Sequence, residues 1–294
     1  MAIGYTNTQY YSDIANAIRE KTKTTDQLLP SEMAPAILSI KGGGSTEGIT
    51  DPEELYELTR PDDWLTMPTE SEINDNELYL LFHIPDGSSA PIAFSVNCTG
   101  SYTVSLLTSE SRTQVSSTTV SSGTTYSAEL SSSDFGDLTS DGMKQALIKV
   151  SGTDITSWEV KEYTSIYYDE ICSWNIVEIA GKLTKLTSFN CYGIAATSIS
   201  NNPDPDITLT MLRYFSLYGS NQLQSVLNMF RCCSALLLVK QLDTSNVTDM
   251  SQMFEGCESL QAIPQFNTSN TTKMNYMFRR AGYNRTSFKL DLSS

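Results

Sequence analysis

One histidine, His83, sits inside the run LLFHIPDG. A Ser-His-Asp relay would have to be built on it, because imidazole is the side chain that titrates near neutral pH. No G-x-S-x-G elbow accompanies it, and a lone histidine on an apolar strand is ordinarily structural. The pairs Asp204/Asp206 and Glu53/Glu54 have the residue types of a glycosidase, one carboxyl as acid and one as base or nucleophile. Acid pairs in loops are more commonly just solvated. Gly42-Gly43-Gly44-Ser45 lacks the lysine and the preceding strand of a phosphate-binding loop. Six cysteines are present, Cys98, Cys172, Cys191, Cys232, Cys233 and Cys257, and none forms the C-x-x-C pair of a zinc site. Cys233 and Cys257 lie 24 residues apart, and Ala281 follows after the same interval. A slot that takes Cys or Ala is small, apolar and buried, so free thiols are expected. These residues predict no catalytic site, no metal and no cofactor. The chain is expected not to be an enzyme.

The interval of 24 residues recurs. Thr244-Ser245-Asn246 returns as Thr268-Ser269-Asn270, and Met229-Phe230, Met253-Phe254 and Met277-Phe278 are evenly spaced. Val226, Met250 and Met274 form a further column, as do Leu236 and Leu260. Upstream, LTKLTSFNCYG (183–193) aligns with LTMLRYFSLYG (209–219) at a spacing of 26. A period of this size with apolar columns predicts a solenoid, in which each unit buries its apolar face only by stacking on the next. The Met-Phe segments are expected to form one helical turn, the Leu/Ile runs a strand. Asn246 and Asn270 are expected to turn the chain through their own backbone. Tyr192, Tyr214 and Tyr218 could stack on sugars but read better as core.

The elements before the repeats differ in pattern. Between residues 62 and 162, short runs such as ELYLLFHI, SYTVSLL and QALIKVSG alternate or concentrate apolar residues between turn signals such as Pro85-Asp86-Gly87. From Thr99 to Ser133, 20 of 35 residues are Ser or Thr, and the interleaved Tyr102, Val104 and Leu106 argue for strands with hydroxyl-rich outer faces. A small β-sandwich is expected. Residues 1–41 predict two short helices, with Tyr10, Ile14 and Ile18 on one face of the first, Tyr11 and Ala15 beside them, and Met33, Ile37 and Ile40 on one face of the second. Ser31 is a plausible cap and Pro35 falls in the first turn. Two helices of this size bury little by themselves, so these apolar faces are expected to anchor the chain to a partner.

The fold class expected is therefore multidomain and mainly β: a helical anchoring module (1–41), a linker (42–61), a β-sandwich (62–162) and a repeat solenoid (163–294). The net charge of −15 over 294 residues excludes a nucleic-acid backbone as partner, since phosphate binding needs a basic face. The one local exception is the C-terminus, where Lys273, Arg279, Arg280, Arg285 and Lys289 face a single acid, Asp291. Arg279, Arg280 and Arg285 are a candidate docking surface for an acidic partner. The plainer alternative is a solvated face. The start MAIGYTNTQYYSDIANAIREK lacks the basic and apolar regions of a secretory signal, and no apolar run approaches the roughly 20 residues of a membrane span.

LDTSNVTDMSQMFEGCESLQAIPQFNTSN resembles the leucine-rich repeat of bacterial BspA-like surface proteins, well over about 225–290 and weakly over 180–224. YYSDIANAIREKTKTTDQLLPSEMAPAILSI is similar to a helical module of tail and other virion proteins of phages of Gram-positive bacteria, and RPDDWLTMP with ELYLLFHIPDG resembles a segment that accompanies it. The resemblance implies a structural protein located in the virion, a tail, baseplate or fibre component. It would be held to other virion proteins by residues 1–41 and meet a host glycan or protein through its repeats. A homo-oligomer, a trimer, is expected. The alternatives are a capsid fibre or decoration protein, a bacterial BspA-like adhesin and, behind these, a glycan depolymerase. After Phe278 the register is lost, so the Met274/Met277/Phe278 layer is expected to face outward, covered by a continuation of the chain or by a partner.

Overall fold

In a computed structural model of the chain the described residues are 56–57, 60–161, 175–194, 206–209 and 211–283. The chain divides into two compact units, Met1–Asp62 and Asp63–Ser294. In the first, the Arg60 N–H donates to the Tyr56 carbonyl over 2.8 Å. The expected helices of 1–41, with Tyr11, Ile14, Ile18, Met33, Ile37 and Ile40, lie outside the described residues, as do most of the linker and Arg285.

The second unit is mainly β. Its strands are β1 (Glu77–Pro85), β2 (Ser89–Thr108), β3 (Thr113–Ser121), β4 (Thr125–Ser131), β5 (Met143–Val160), β6 (Ile176–Lys182), β7 (Ser188–Asn190), β8 (Tyr192–Ile194), β9 (Asp206–Thr208), β10 (Tyr214–Tyr218) and β11 (Leu238–Gln241). Nine of them form one open mixed sheet in the order β11-β10-β6-β1-β5-β2-β3, with β4 also paired to β2 and β7 to β5; β8 and β9 pair separately. β1 is central, and its sequence says why. Leu78, Leu80, Phe82 and Ile84 enter the main core. Tyr79 and Leu81, on the opposite face, pack with Trp64, Ile73, Val177 and Ala180 in a second one. A strand covered on both sides reads as a continuous apolar run.

The expected sandwich is corrected to this single sheet, which bends. β2 has 20 residues and β5 has 18, far beyond the usual strand of about 5–6. Their antiparallel register breaks between Asn97 and Thr103, opposite Thr153 and Ser151. At the break Gly100 takes φ +81°, and a Cβ on Gly152 would lie 3.3 Å from Ile155 Cγ1 and 3.4 Å from Tyr102 Cβ. Beyond the bend, the first half of β2 pairs with β4 and the second half with β3. Tyr102, Val104 and Leu106 are buried as their alternation requires; Ser105 is buried too, its hydroxyl donating to Ser117 Oγ at 3.3 Å.

The repeats continue the same sheet. β6 pairs antiparallel with β1 on one side and parallel with β10 on the other. β10 then pairs parallel with β11, and Leu238 bridges Ala262 of the next unit. One apolar core runs through both regions. Its axis is a row of rings: Tyr126–Phe94 at 5.3 Å between centroids, Phe94–Trp158 at 5.8 Å, Trp158–Phe189 at 4.7 Å, Phe189–Phe215 at 5.3 Å, Phe215–Phe230 at 4.8 Å, Phe230–Phe254 at 5.5 Å and Phe254–Phe278 at 5.6 Å. The last two pairs stack within 16° and 5° of parallel, as identical residues one period apart must when their backbones are in register.

The Met-Phe segments are not helical turns. They are trains of β-turns. The N–H of Met229, Arg231 and Cys233 donates to the carbonyl three residues back, and Met253, Glu255 and Cys257 repeat this. Asn228, Cys232, Gln252, Tyr276 and Arg280 have φ between 55° and 60°, and Gly256 has 74°. A positive φ at the third position is the type II geometry. Between the turns, alternate N–H groups point along the stack: Asn228 to Ser251 O (3.1 Å), Phe230 to Met253 O (3.0 Å), Gln252 to Asn275 O (2.8 Å) and Phe254 to Met277 O (2.9 Å). A helix would have consumed those donors internally.

Candidate functional site

Between residues 226 and 283 the turn trains put phenylalanine rings inside and polar side chains outside, and period-spaced contacts organise the outer row. Asn246 Nδ2 donates to the Asn221 carbonyl at 2.8 Å, and Asn270 Nδ2 to the Ser245 carbonyl at 2.7 Å. The asparagines thus tie coil to coil instead of turning their own backbone. That turn is made one step earlier, where Asp243 Oδ1 accepts from Ser245 N (2.9 Å) and Asn267 Oδ1 from Ser269 N (3.0 Å). Thr248 and Thr272 hydroxyls each donate to the carbonyl 24 residues back at 3.2 Å.

Charge follows the same columns. Arg231, Glu255 and Arg279 succeed one another at one period, with Arg231 Nε 3.3 Å and Arg279 Nη1 3.1 Å from the Glu255 carboxylate. Gln252 Nε2 adds a bond to Glu255 Oε2 at 2.6 Å. Arg280 reaches Glu258 at 2.9 Å, and Lys273 reaches Asp249 at 3.6 Å. Burial acts to raise the Asp249 carboxyl, but the bonds from Ser251 and the Lys273 ammonium outweigh it and hold the carboxyl below its ordinary value. Arg279 and Arg280, two of the three residues singled out for docking, are therefore neutralised in part by acids of the coil before. Their side chains remain 61% exposed, so the outer edges of both guanidinium groups face solvent.

Aromatic rings accompany these guanidinium groups, and the charge pattern alone did not reveal them. Arg279 lies over the Tyr276 ring at 5.7 Å and Arg280 over the Tyr283 ring at 5.6 Å. Tyr276 is 66% and Tyr283 71% exposed. Each is three residues from its arginine, the spacing that a turn train folds back on itself. Of the apolar layer expected to face outward, Met274 is exposed, Phe278 is half-buried and Met277 is buried. Tyr276, Arg279, Arg280 and Tyr283 make a surface with planar π and guanidinium donors side by side, chemistry suited to carboxylates and to the faces of sugar rings.

The other residues considered for chemistry fall elsewhere. His83 is buried, edge-on to Trp64 at 4.4 Å, with its backbone N–H on the Asn175 carbonyl at 2.9 Å. Glu53/Glu54 and the side chains of Asp204/Asp206 lie outside the described residues. Cys98, Cys191, Cys232, Cys233 and Cys257 are thiols outside any disulfide; Cys191, Cys233 and Cys257 are buried, and Cys98 and Cys232 are half-buried. Burial, and then the neighbouring thiols, push Cys191 and Cys257 well above the ordinary thiol range. Cys257 Sγ donates to the Phe230 carbonyl at 3.0 Å. Among the described residues no group of three His, Cys, Asp or Glu side chains is placed to hold a metal. Tyr214 is buried and Tyr218 half-buried against the second core; the side chain of Tyr192 lies outside the described set.

One further polar cluster is well built. Glu77, 8% exposed, receives Lys149 Nζ at 2.5 Å, Tyr79 Oη at 3.1 Å and Asn74 Nδ2 at 3.2 Å. Burial alone would raise the Glu77 carboxyl, yet the bonds from Lys149 and Asn74 bring it below its ordinary value. Burial likewise acts to lower Lys149, and the Glu77 bond more than reverses that. Tyr79 and Lys149 are directly opposite on β1 and β5, so the cluster fixes register between central strands.

Residues 222–294 match the family described as Mycoplasma protein of unknown function, DUF285. The matched stretch holds the turn trains, the stacked phenylalanines and the tyrosine–arginine surface, and the BspA-like repeats that the sequence resembles are related to this family. No curated protein and no solved structure matches the chain.

Proposed function

We propose that the chain is a non-catalytic structural protein of a phage particle, in a tail, baseplate or fibre. Residues 1–41 join it to other virion proteins, and a leucine-rich-repeat solenoid built from its C-terminal coils contacts the host surface. The observation that supports contact through the repeats is the exposed set Tyr276, Arg279, Arg280 and Tyr283, in a segment whose Met277, Phe278 and Ala281 belong to or pack against the main core of its unit. Tyrosine and arginine are the residues that carry recognition energy at interfaces, and a backbone held by coil-to-coil bonds loses little freedom on binding. Several weak contacts on one particle would add through multivalency. The location in a virion is drawn from the resemblance of residues 10–40 and of the segment after Arg60.

A second reading, a bacterial surface adhesin, draws on the resemblance of the repeats to BspA-like surface proteins, beside a match over 222–294 to a family whose description names Mycoplasma. Mass spectrometry of purified particles and of cell-surface fractions from cultures producing the chain separates the two. Recovery in particles at the stoichiometry of a structural protein is expected, with loss on deletion of residues 1–41. Recovery only from the cell surface overturns the virion assignment. Release of soluble glycan from host walls by the purified chain would overturn the non-catalytic one.

A further inference from the structure

β3 (Thr113–Ser121) is an edge strand: its one strand partner among the described residues is β2. All its residues but Val120, which packs against the main core, are exposed, and Val115 is 50% exposed. Apolar burial at that one residue does not account for a nine-residue strand. Edges of this kind are ordinarily blunted by lysine, proline, a bulge or a cover. β3 reads TQVSSTTVS, with no charge and no proline, and the charge-free run extends to Ala128 in a chain of net charge −15. One irregularity falls at Val115; from Ser116 to Ser121 the register with Ser101–Leu106 is unbroken. Over these six residues every second one turns its N–H and C=O away from β2, toward the open side of the edge.

We propose that this edge pairs antiparallel with the same edge of a second copy of the chain, joining two sheets across a two-fold axis. A second copy fits for a reason of charge. Two molecules at −15 repel over most of their surface, and this edge brings none of that charge into contact. The strand is also self-complementary. A two-fold axis normal to the sheet, centred on Thr118 or on Thr119, places only Ser, Thr or Val opposite each residue of 116–121. Hydroxyl and β-branched pairs are favourable across antiparallel strands. The contact is isologous, uses each edge once and closes at two copies, which sets it apart from the trimer expected from the resemblance. The pairing is independent of what the repeats bind.

The test is light scattering of the full chain at roughly 100 μM, a concentration at which any dissociation constant of about 10 μM or tighter leaves most chains paired. The expected mass is twice 32.5 kDa. Thr118→Lys with Thr119→Lys sets like charges opposite each other in either register, although it lowers the net repulsion between chains; the expected result is the single-chain mass with an unchanged circular dichroism spectrum. Gln222→Lys with Gln224→Lys, two exposed positions on the repeats, adds the same charge and is expected to leave the double mass. A single-chain mass for the unaltered protein, a mass of three chains, or a double mass in the Thr118/Thr119 variant overturns the proposal. If that variant fails to fold, hydrogen exchange of the unaltered chain decides. Protection of 116–121 that rises with protein concentration supports the pairing, and protection independent of concentration overturns it.

Discussion

Gly181 is where the β region and the repeats are joined, and Gly181→Ala tests that join. In β6 it is in register with Leu78 on one side and Leu217 on the other. A Cβ there would lie 2.6 Å from Leu78 Cδ1, 3.1 Å from the Glu77 carbonyl oxygen and 3.4 Å from Leu217 Cδ1. The first distance is about 1 Å inside an ordinary carbon–carbon contact. Leu78 and Leu217 are fully buried, so the methyl must displace a packed side chain or spread the strands. Overpacking of this kind costs about 1–3 kcal/mol. Against it stands the roughly 0.4–1 kcal/mol that Ala gains over Gly by restricting the unfolded chain. The net loss is about 1–2 kcal/mol, and for a unit of this size each kcal/mol lowers Tm by roughly 2–4 °C. The assay is denaturant unfolding of a double-mutant cycle with Leu78→Ala. Leu78→Ala leaves the space the new methyl needs, so the double variant is expected to be more stable than the sum of the two losses by about 1 kcal/mol. Strict additivity, or a Gly181→Ala protein as stable as the unaltered one, would refute a β6 seated between Leu78 and Leu217.

Phe254 stacks on both Phe230 and Phe278 and is fully buried, so Phe254→Ala is expected to cost about 3–5 kcal/mol, with hydrogen-exchange protection falling first in residues 226–257. Cys233→Ala is expected to cost only about 1 kcal/mol, since one sulfur is lost from a slot that Ala281 already fills. In the native protein, alkylation should mark Cys98 and Cys232 before Cys191, Cys233 or Cys257; equal labelling of all five would contradict the burial of the thiol column. The Glu77–Lys149 pair gives stability a defined pH dependence. The carboxyl titrates below its ordinary value, so its contribution is present above that value and lost as pH falls through the depressed one. The ammonium titrates above its ordinary value, so its contribution is complete below that value and lost as pH rises through the raised one. Thermal unfolding of Glu77→Gln should show a flatter acid limb than the unaltered chain, and an identical limb would remove Glu77 as its source.

The sequence carried the period, the apolar columns and the burial of Phe230 and Phe254, because units one period apart place like residues in contact and that constraint is written every 24 residues. It also determined which face of β2 is inward, since Tyr102, Val104 and Leu106 alternate with hydroxyl residues. The charge column Arg231–Glu255–Arg279 was readable on the same principle once the period was known, although the C-terminal arginines looked free when read as a linear run. The tertiary structure alone decided that the expected sandwich is one bent sheet, and that β6 carries it into the repeats. Edge pairing joins residues such as Gly181 with Leu78 and Leu217 through backbone groups that every residue shares, so no side-chain pattern announces it. The turn trains were illegible for a related reason. Met-Phe spacing fits a helical turn and a β-turn equally well, and the choice falls to donors such as Phe230 N, which reach a carbonyl in the next coil only after the coils have stacked.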